Sequence, residues 1–163
     1  TEAPGYYEAQ EITGNFHMTE MQAALGLSQL QRLDSFVEKR RALVRCYRHH
    51  LANAPFIRLF SEEYDARSAY HLVVVQIDFA ALGTTREIVM EKLLREDIGT
   101  EMHYIPLYRH PVLQHVVPIG ERAAYFPESE AYYQQALSLP LYFDLTEADV
   151  ERVCNSLKKI VCV

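Results

Sequence analysis

Apolar residues recur along this chain in two rhythms, and the changes of rhythm mark its elements. Met18, Met21, Leu25, Leu30, Leu33 and Val37 fall at spacings of three to five, one helical stripe that should be buried. Thr19 opens that helix as an N-cap, and Gln22 three residues on completes a capping box. The helical pattern continues to about Asn53, short of Pro55, so its length predicts two helices or one bent near Asp34-Ser35. Residues 1–17, with Pro4, Gly5 and Gly14 as breakers, read as loop, and Ala54 to Ala69 as an irregular polar connection.

The rhythm then shortens. Tyr70-His71-Leu72-Val73-Val74-Val75-Gln76-Ile77 is β-branched and too apolar for a strand with one wet face, which predicts a central strand. Thr84 and Glu87 form a second capping box, opening a helix with Ile88, Val89, Leu93 and Leu94 that ends at Asp97-Ile98-Gly99. Ile98, Thr100, Met102 and Tyr104 alternate with Gly99, Glu101 and His103, predicting a half-buried strand closed by Pro106. Residues 107–127 read as loop, Pro127 to Ala136 as a short helix, and Leu137 to Leu141 as an extended edge segment. Thr146 with Asp149 caps a last helix carrying Val150, Val153, Leu157 and Ile160 on one face. The order describes an α+β fold, helices layered on a small sheet and preceded by a long helix.

Composition narrows the partners. Hydrophobic residues make up 49% of the 163, as in a globular protein, and the formal charge of −6 argues against a nucleic-acid surface. Lys39-Arg40-Arg41, Arg45 and Arg48 lie among acidic neighbours and read as a solvated helix face. No apolar run approaches the ~18 residues a membrane span needs. Cys46, Cys154 and Cys162 share no metal-type spacing and read as reduced thiols of a cytoplasmic protein. The unpatterned lead from Thr1 fits a piece excised from a longer protein.

Little else in the residues points to chemistry. His49 and His50 project about 100° apart on a helix, and His103, His110 and His115 lack ligand spacing, so no metal site is predicted. No G-x-S-x-G, G-x-x-x-x-G-K-[ST] or G-x-G-x-x-G motif occurs. Lys39, Lys92, Lys158 and Lys159 all fall in predicted helices among polar neighbours, whereas a Schiff-base lysine needs a sheltered pocket. No catalytic residue is assigned within this chain.

Gly14-Asn15-Phe16-His17-Met18-Thr19-Glu20-Met21-Gln22-Ala23-Ala24-Leu25-Gly26 resembles the G-x-N-x-R-M-T-x-x-Q-A-A-L-G segment of the DegT/DnrJ/StrS sugar aminotransferases. Leu30 to Arg41 is similar to that family's L-x-x-L-D-x-F-x-x-x-R-R helix, and Ser68 to Val74 to its Y-H-L strand. Ile98 to Pro106 with His110-Pro111, Phe126 to Glu130, and Leu137 to Tyr142 are similar to its G-I-G-x-x-x-H-Y-x-P…H-P, F-P-x-A-E and S-L-P-L-Y segments. The pieces stand in the family's order from about residue 12 to the end. Their wording is most similar to the aminotransferases of the pseudaminic acid pathway, which act on UDP-linked 4-keto-6-deoxy amino sugars.

The resemblance implies the small C-terminal domain of a fold-type-I aminotransferase dependent on pyridoxal 5′-phosphate. Residues 1–17 would be a loop remnant of the large domain, 18–55 a helical region between domains and at the dimer contact, and 56–163 the small domain. It implies a homodimer, glutamate as amino donor and a nucleotide-linked 4-keto-6-deoxy sugar as acceptor, with the Schiff-base lysine upstream and no cofactor held by this chain alone. Asn15 matches the asparagine that reaches the cofactor phosphate of the partner subunit; by itself it reads as a turn-forming loop residue. His17 stands where the family has arginine, and lacks that side chain's bidentate fork. His103 and Tyr104 fall where the family faces its nucleotide sugar, so the substrate contacts are assigned to His103, Tyr104 and His17. Alternation would put His103 and Tyr104 on opposite strand faces, with Tyr104 toward the core.

Two other readings stand beside the enzyme. One is a non-catalytic regulator or scaffold that keeps the fold; the other is a free-standing helical dimerisation module built on residues 19–53.

Overall fold

The computed structural model describes Glu11, Gly14, residues 16–60, Glu63, and residues 67–113 and 122–161. Asn15, His115 and Cys162 lie outside the described residues. The chain divides into two compact units, Thr1–Asp34 and Ser35–Val163.

In the first unit, helix α1 spans Glu20–Leu30 and begins as its sequence dictates. The Thr19 hydroxyl accepts from the Gln22 N–H at 3.3 Å, and the Gln22 side chain accepts from the Thr19 N–H at 2.9 Å. The apolar stripe, however, is not covered: no residue of α1 is buried, and Met21 is 82% exposed. A helical period says which residues share a face; it does not say what lies against that face. The break falls at Gln31-Arg32, ahead of the expected Asp34-Ser35, and α2 follows over Leu33–Leu51.

The second unit carries the core. Strands β1 (Ile57–Leu59), β2 (Val73–Ile77) and β3 (Ala136–Leu139) form an antiparallel sheet in the order β1-β2-β3, with the β-branched run in the middle. β1 is not legible within the polar connection, because three residues show too little alternation. Ile57 pairs with Ile77, Leu59 with Val75, Val75 with Leu137 and Val73 with Leu139. Directly opposite residues share a face, so these side chains form one apolar surface. Leu43, Val44, Tyr47 and Leu51 of α2 join its core, as do Val89 and Leu93 of α3 (Arg86–Leu94). So do Val150, Val153, Cys154, Leu157 and Val161 of α6 (Glu147–Val161). Burial pushes the Cys154 thiol up to about 12, leaving it a packing group rather than a nucleophile.

Several local details differ from the sequence pattern. The α3 N-cap is Thr85, whose hydroxyl accepts from the Ile88 N–H, rather than Thr84. The helix closes with Asp97 N–H donating to Leu94 O and Ile98 N–H to Leu93 O, both at 3.0 Å, the paired bonds of a Schellman turn. Asp97 takes the left-handed conformation there (φ 56°), which a short polar side chain tolerates. Arg40, Arg41 and Arg48 do not merely solvate a helix face. They donate to the carbonyls of Ala69, Ser68 and Phe60, tying the connection before β2 onto α2.

The predicted strand from Ile98 to Tyr104 is reduced to a single bridge between Glu101 and Ser138. Leu107–Arg109 and Pro111–Leu113 form two 3₁₀ turns, and α4 (Arg122–Tyr125) leads into α5 (Pro127–Gln135). α6 begins with the expected box: Thr146 N–H donates to the Asp149 carboxylate at 2.9 Å, and Asp149 N–H to the Thr146 hydroxyl at 3.2 Å. No helix among the described residues is long and apolar enough to cross a membrane.

Candidate functional site

β3 is buried at all four positions, and the reason organises the site. Leu137 and Leu139 face the helical core, while Ser138, opposite Val74, belongs to the other face of the sheet. The chain leaving α3 lies along β3 there. Ser138 N–H donates to Glu101 O at 2.7 Å, and Glu101 N–H donates to Ser138 O at 3.2 Å. Two residues on, the His103 ring reaches back to the same residue, with Nδ1 at 2.8 Å from the Ser138 hydroxyl. Three hydrogen bonds to one serine thus anchor the segment that carries His103.

Tyr104 departs from the sequence expectation. It is 72% exposed rather than part of the core. Pairing with β3 occurs only at Glu101, so strand alternation does not extend to residue 104. The His103 and Tyr104 rings instead meet edge to face at 4.6 Å. Tyr104 forms one side of an open cavity of about 690 Å³, together with Pro106, Leu107, Tyr108, Phe126, Tyr132 and Tyr133. Glu128 and Ser129 are the polar residues of that lining. Aromatic walls with few polar groups suit a ligand that presents a ring face.

One carboxylate holds this wall. Glu130 of α5 is 6% exposed, and its Oε1 accepts from the Tyr108 hydroxyl and from Arg109 Nε, each at 2.9 Å. Arg109 Nη2 donates to Oε2, making the pair bidentate. The Arg109 hydrogen bond, supported by Tyr108, keeps the Glu130 carboxyl below the usual carboxylate range. Tyr108 stacks on Phe126 at 4.6 Å, and the guanidinium groups of Arg86 (4.8 Å) and Arg109 (4.7 Å) both lie over the Tyr133 ring. Sequence reasoning assigns no role to Tyr108, Arg109, Glu130 or Ser138. The signal lies in the Phe126–Glu130 and Leu137–Tyr142 segments, which the resemblance marks without separating chemistry from packing.

The other candidates are placed less closely. His17 is exposed within the first unit, between Phe16 and Met18, while Asn15 lies outside the described residues. Lys39 is on α2, Lys92 on α3, and Lys158 and Lys159 on α6. Lys158 donates to His50 O and Lys159 to Glu96. None of the four lines the aromatic cavity. Among the described residues no cluster of histidine, cysteine and carboxylate side chains is arranged to hold a metal ion.

Helices packed on a small three-stranded antiparallel sheet match the small domain of the fold-type-I aminotransferases. The chain superimposes on S. venezuelae DesV, solved in complex with a ketimine intermediate, with a TM-score of 0.81 and 27% identity, covering 98% of this chain and 41% of DesV. Residues 2–158 match the DegT/DnrJ/EryC1/StrS aminotransferase family, and the chain belongs to that family. It is 36% identical over 157 residues to the Bacillus subtilis spore coat polysaccharide biosynthesis protein SpsC, covering 96% of this chain and 40% of SpsC. Helicobacter pylori PseC, an aminotransferase of pseudaminic acid biosynthesis, shares the fold with a TM-score of 0.78 at 23% identity over 99% of this chain and 42% of PseC. The chain thus spans about two fifths of the length of the relatives it matches.

Proposed function

We propose that this chain is the C-terminal part of a pyridoxal-phosphate-dependent enzyme that transfers an amino group from glutamate to a nucleotide-linked 4-keto-6-deoxy sugar. The observation that carries the reading is the pairing of His103 with Tyr104: a polar ring held by Ser138 beside an aromatic ring that walls an apolar cavity. A nucleotide sugar presents both kinds of surface, ring faces for the tyrosines and oxygen acceptors for an imidazole N–H. Family membership supports the amino-transfer chemistry, and SpsC by name serves polysaccharide biosynthesis. The family structure of DesI was determined in the presence of its TDP-sugar product.

In this reading His103 and Tyr104 contact the substrate. His17 is carried over from the resemblance as a substrate contact, a weaker stand-in for the family's arginine. Asn15 donates to the cofactor phosphate of the partner subunit in a homodimer. Bound pyridoxal phosphate supplies the electron sink for amino transfer, and the lysine that holds it belongs to the rest of the protein. The isolated chain is inactive. Assaying the whole protein against UDP- and dTDP-linked keto sugars and against free keto acids tests the assignment; activity confined to small keto acids would refute it.

A further inference from the structure

We infer that Ser138 is a positioning residue that holds His103 in one tautomer, with the proton on Nε2, and so makes His103 a hydrogen-bond donor toward its ligand. The inference rests on the proposal that His103 contacts substrate, and adds which atom does so and what sets it.

The hydroxyl comes first. Ser138 is 4% exposed, and its backbone N–H and C=O are both committed to Glu101. Among the described residues its hydroxyl has one hydrogen-bond partner, His103 Nδ1 at 2.8 Å. A neutral imidazole has one protonated and one bare nitrogen, so two arrangements satisfy that distance. If Nδ1 carried the proton, the hydroxyl would accept and its own O–H would be left buried without an acceptor, which costs free energy. If Nδ1 is bare, the hydroxyl donates, and both groups are satisfied. The proton then sits on Nε2, the ring's remaining polar atom.

A fixed N–H donor selects oxygen acceptors, such as a sugar hydroxyl, a keto oxygen or a diphosphate oxygen. It disfavours a ligand that offers only donors. The anchor is rigid because Ser138 sits within the sheet, paired to Val74 on one side and bridged to Glu101 on the other. The same residue therefore sets both where the segment runs and which hydrogen-bonding character its histidine presents.

The test is long-range proton–nitrogen correlation spectroscopy on the whole protein labelled with ¹⁵N-histidine, with His103 assigned by its loss in His103→Gln. The wild type should show His103 with Nδ1 at the unprotonated and Nε2 at the protonated position. Ser138→Ala should move both signals toward the average of two tautomers, and Ser138→Thr, which keeps a hydroxyl, should restore them. Ser138→Ala should also raise KM for the sugar nucleotide roughly two- to tenfold, with Ser138→Thr again restoring it. A wild-type spectrum with the proton on Nδ1 overturns the inference without any variant having to fold, as does a Ser138→Ala spectrum identical to wild type. Adding uridine or thymidine 5′-diphosphate should shift Nε2 and leave Nδ1 in place. If a locked His103 responds to neither nucleotide nor sugar nucleotide, the substrate-contact reading falls while the tautomer assignment stands.

Discussion

The Tyr108 hydroxyl and the Glu130 carboxylate meet at 2.9 Å where Glu130 is almost wholly buried, and Arg109 completes the pair from the same turn. Three donors on a buried carboxylate favour its charged form over the neutral acid. Its folded-state pKa is lowered from the ordinary 4.5, chiefly by Arg109, so folding is favoured by its ionised form. That contribution is complete above the unfolded-state value and is lost as pH falls through the lower folded-state value. Melting temperature should therefore drop with acidification below about pH 4.5, and Glu130→Gln should flatten that part of the profile. An unchanged acid slope in Glu130→Gln would remove this ion pair from the account.

At neutral pH, Glu130→Ala should cost at least about 1.5–3 kcal/mol, the scale of one hydrogen bond to a charged group, since two such bonds to Arg109 and one to Tyr108 are lost together. The effect should also reach the cavity, because Tyr108 forms part of its wall. Denaturant unfolding measures the first, and KM for the sugar nucleotide the second.

Leu137 and Val75 face each other across β2 and β3, and both are fully buried in the core. Leu137→Ala should destabilise the protein by about 2–5 kcal/mol, the lost transfer energy plus the cavity left behind. A measured loss under about 0.5 kcal/mol, the scale of a surface change, would mean that the site collapses around the smaller residue.

His103→Ala should lower the specificity constant for the sugar nucleotide by about 1–3 kcal/mol while the glutamate half-reaction stays near normal. Tyr104→Phe should be close to wild type and Tyr104→Ala should not, because the cavity uses the ring more than the hydroxyl. Steady-state kinetics on the whole protein decides both, and an unaffected His103→Ala enzyme takes that residue out of the site.

Asn15→Ala in the whole protein should weaken cofactor retention roughly ten- to a hundredfold, the scale of one hydrogen bond to a charged group, and leave melting unchanged. Normal retention returns Asn15 to a turn-forming role.

Much of the fold is legible in the order of the amino acids. β2 declares itself by its β-branched Val73-Val74-Val75 and Ile77, α6 by its Thr146–Asp149 box and its apolar spacing, and α1 by the Thr19–Gln22 box. These are local signals, written by residues a few positions apart. The order of motifs from Asn15 to Tyr142 likewise carries the family without reference to shape. The site itself is not legible to the same degree. His103 and Ser138 are 35 positions apart, and Tyr108 and Glu130 are 22 apart. No periodicity links such pairs; only the folded backbone brings them within hydrogen-bonding distance. Tyr104 shows the same limit from the other side. Its alternation points inward, but pairing with β3 ceases at Glu101, and without a ladder to hold the pleat the ring turns to the cavity. Local sequence therefore determined which elements form and where they begin, because caps and periodicity are short-range. Which side chains share a site was decided by tertiary packing, because those partners are set by the path of the chain and not by its spacing.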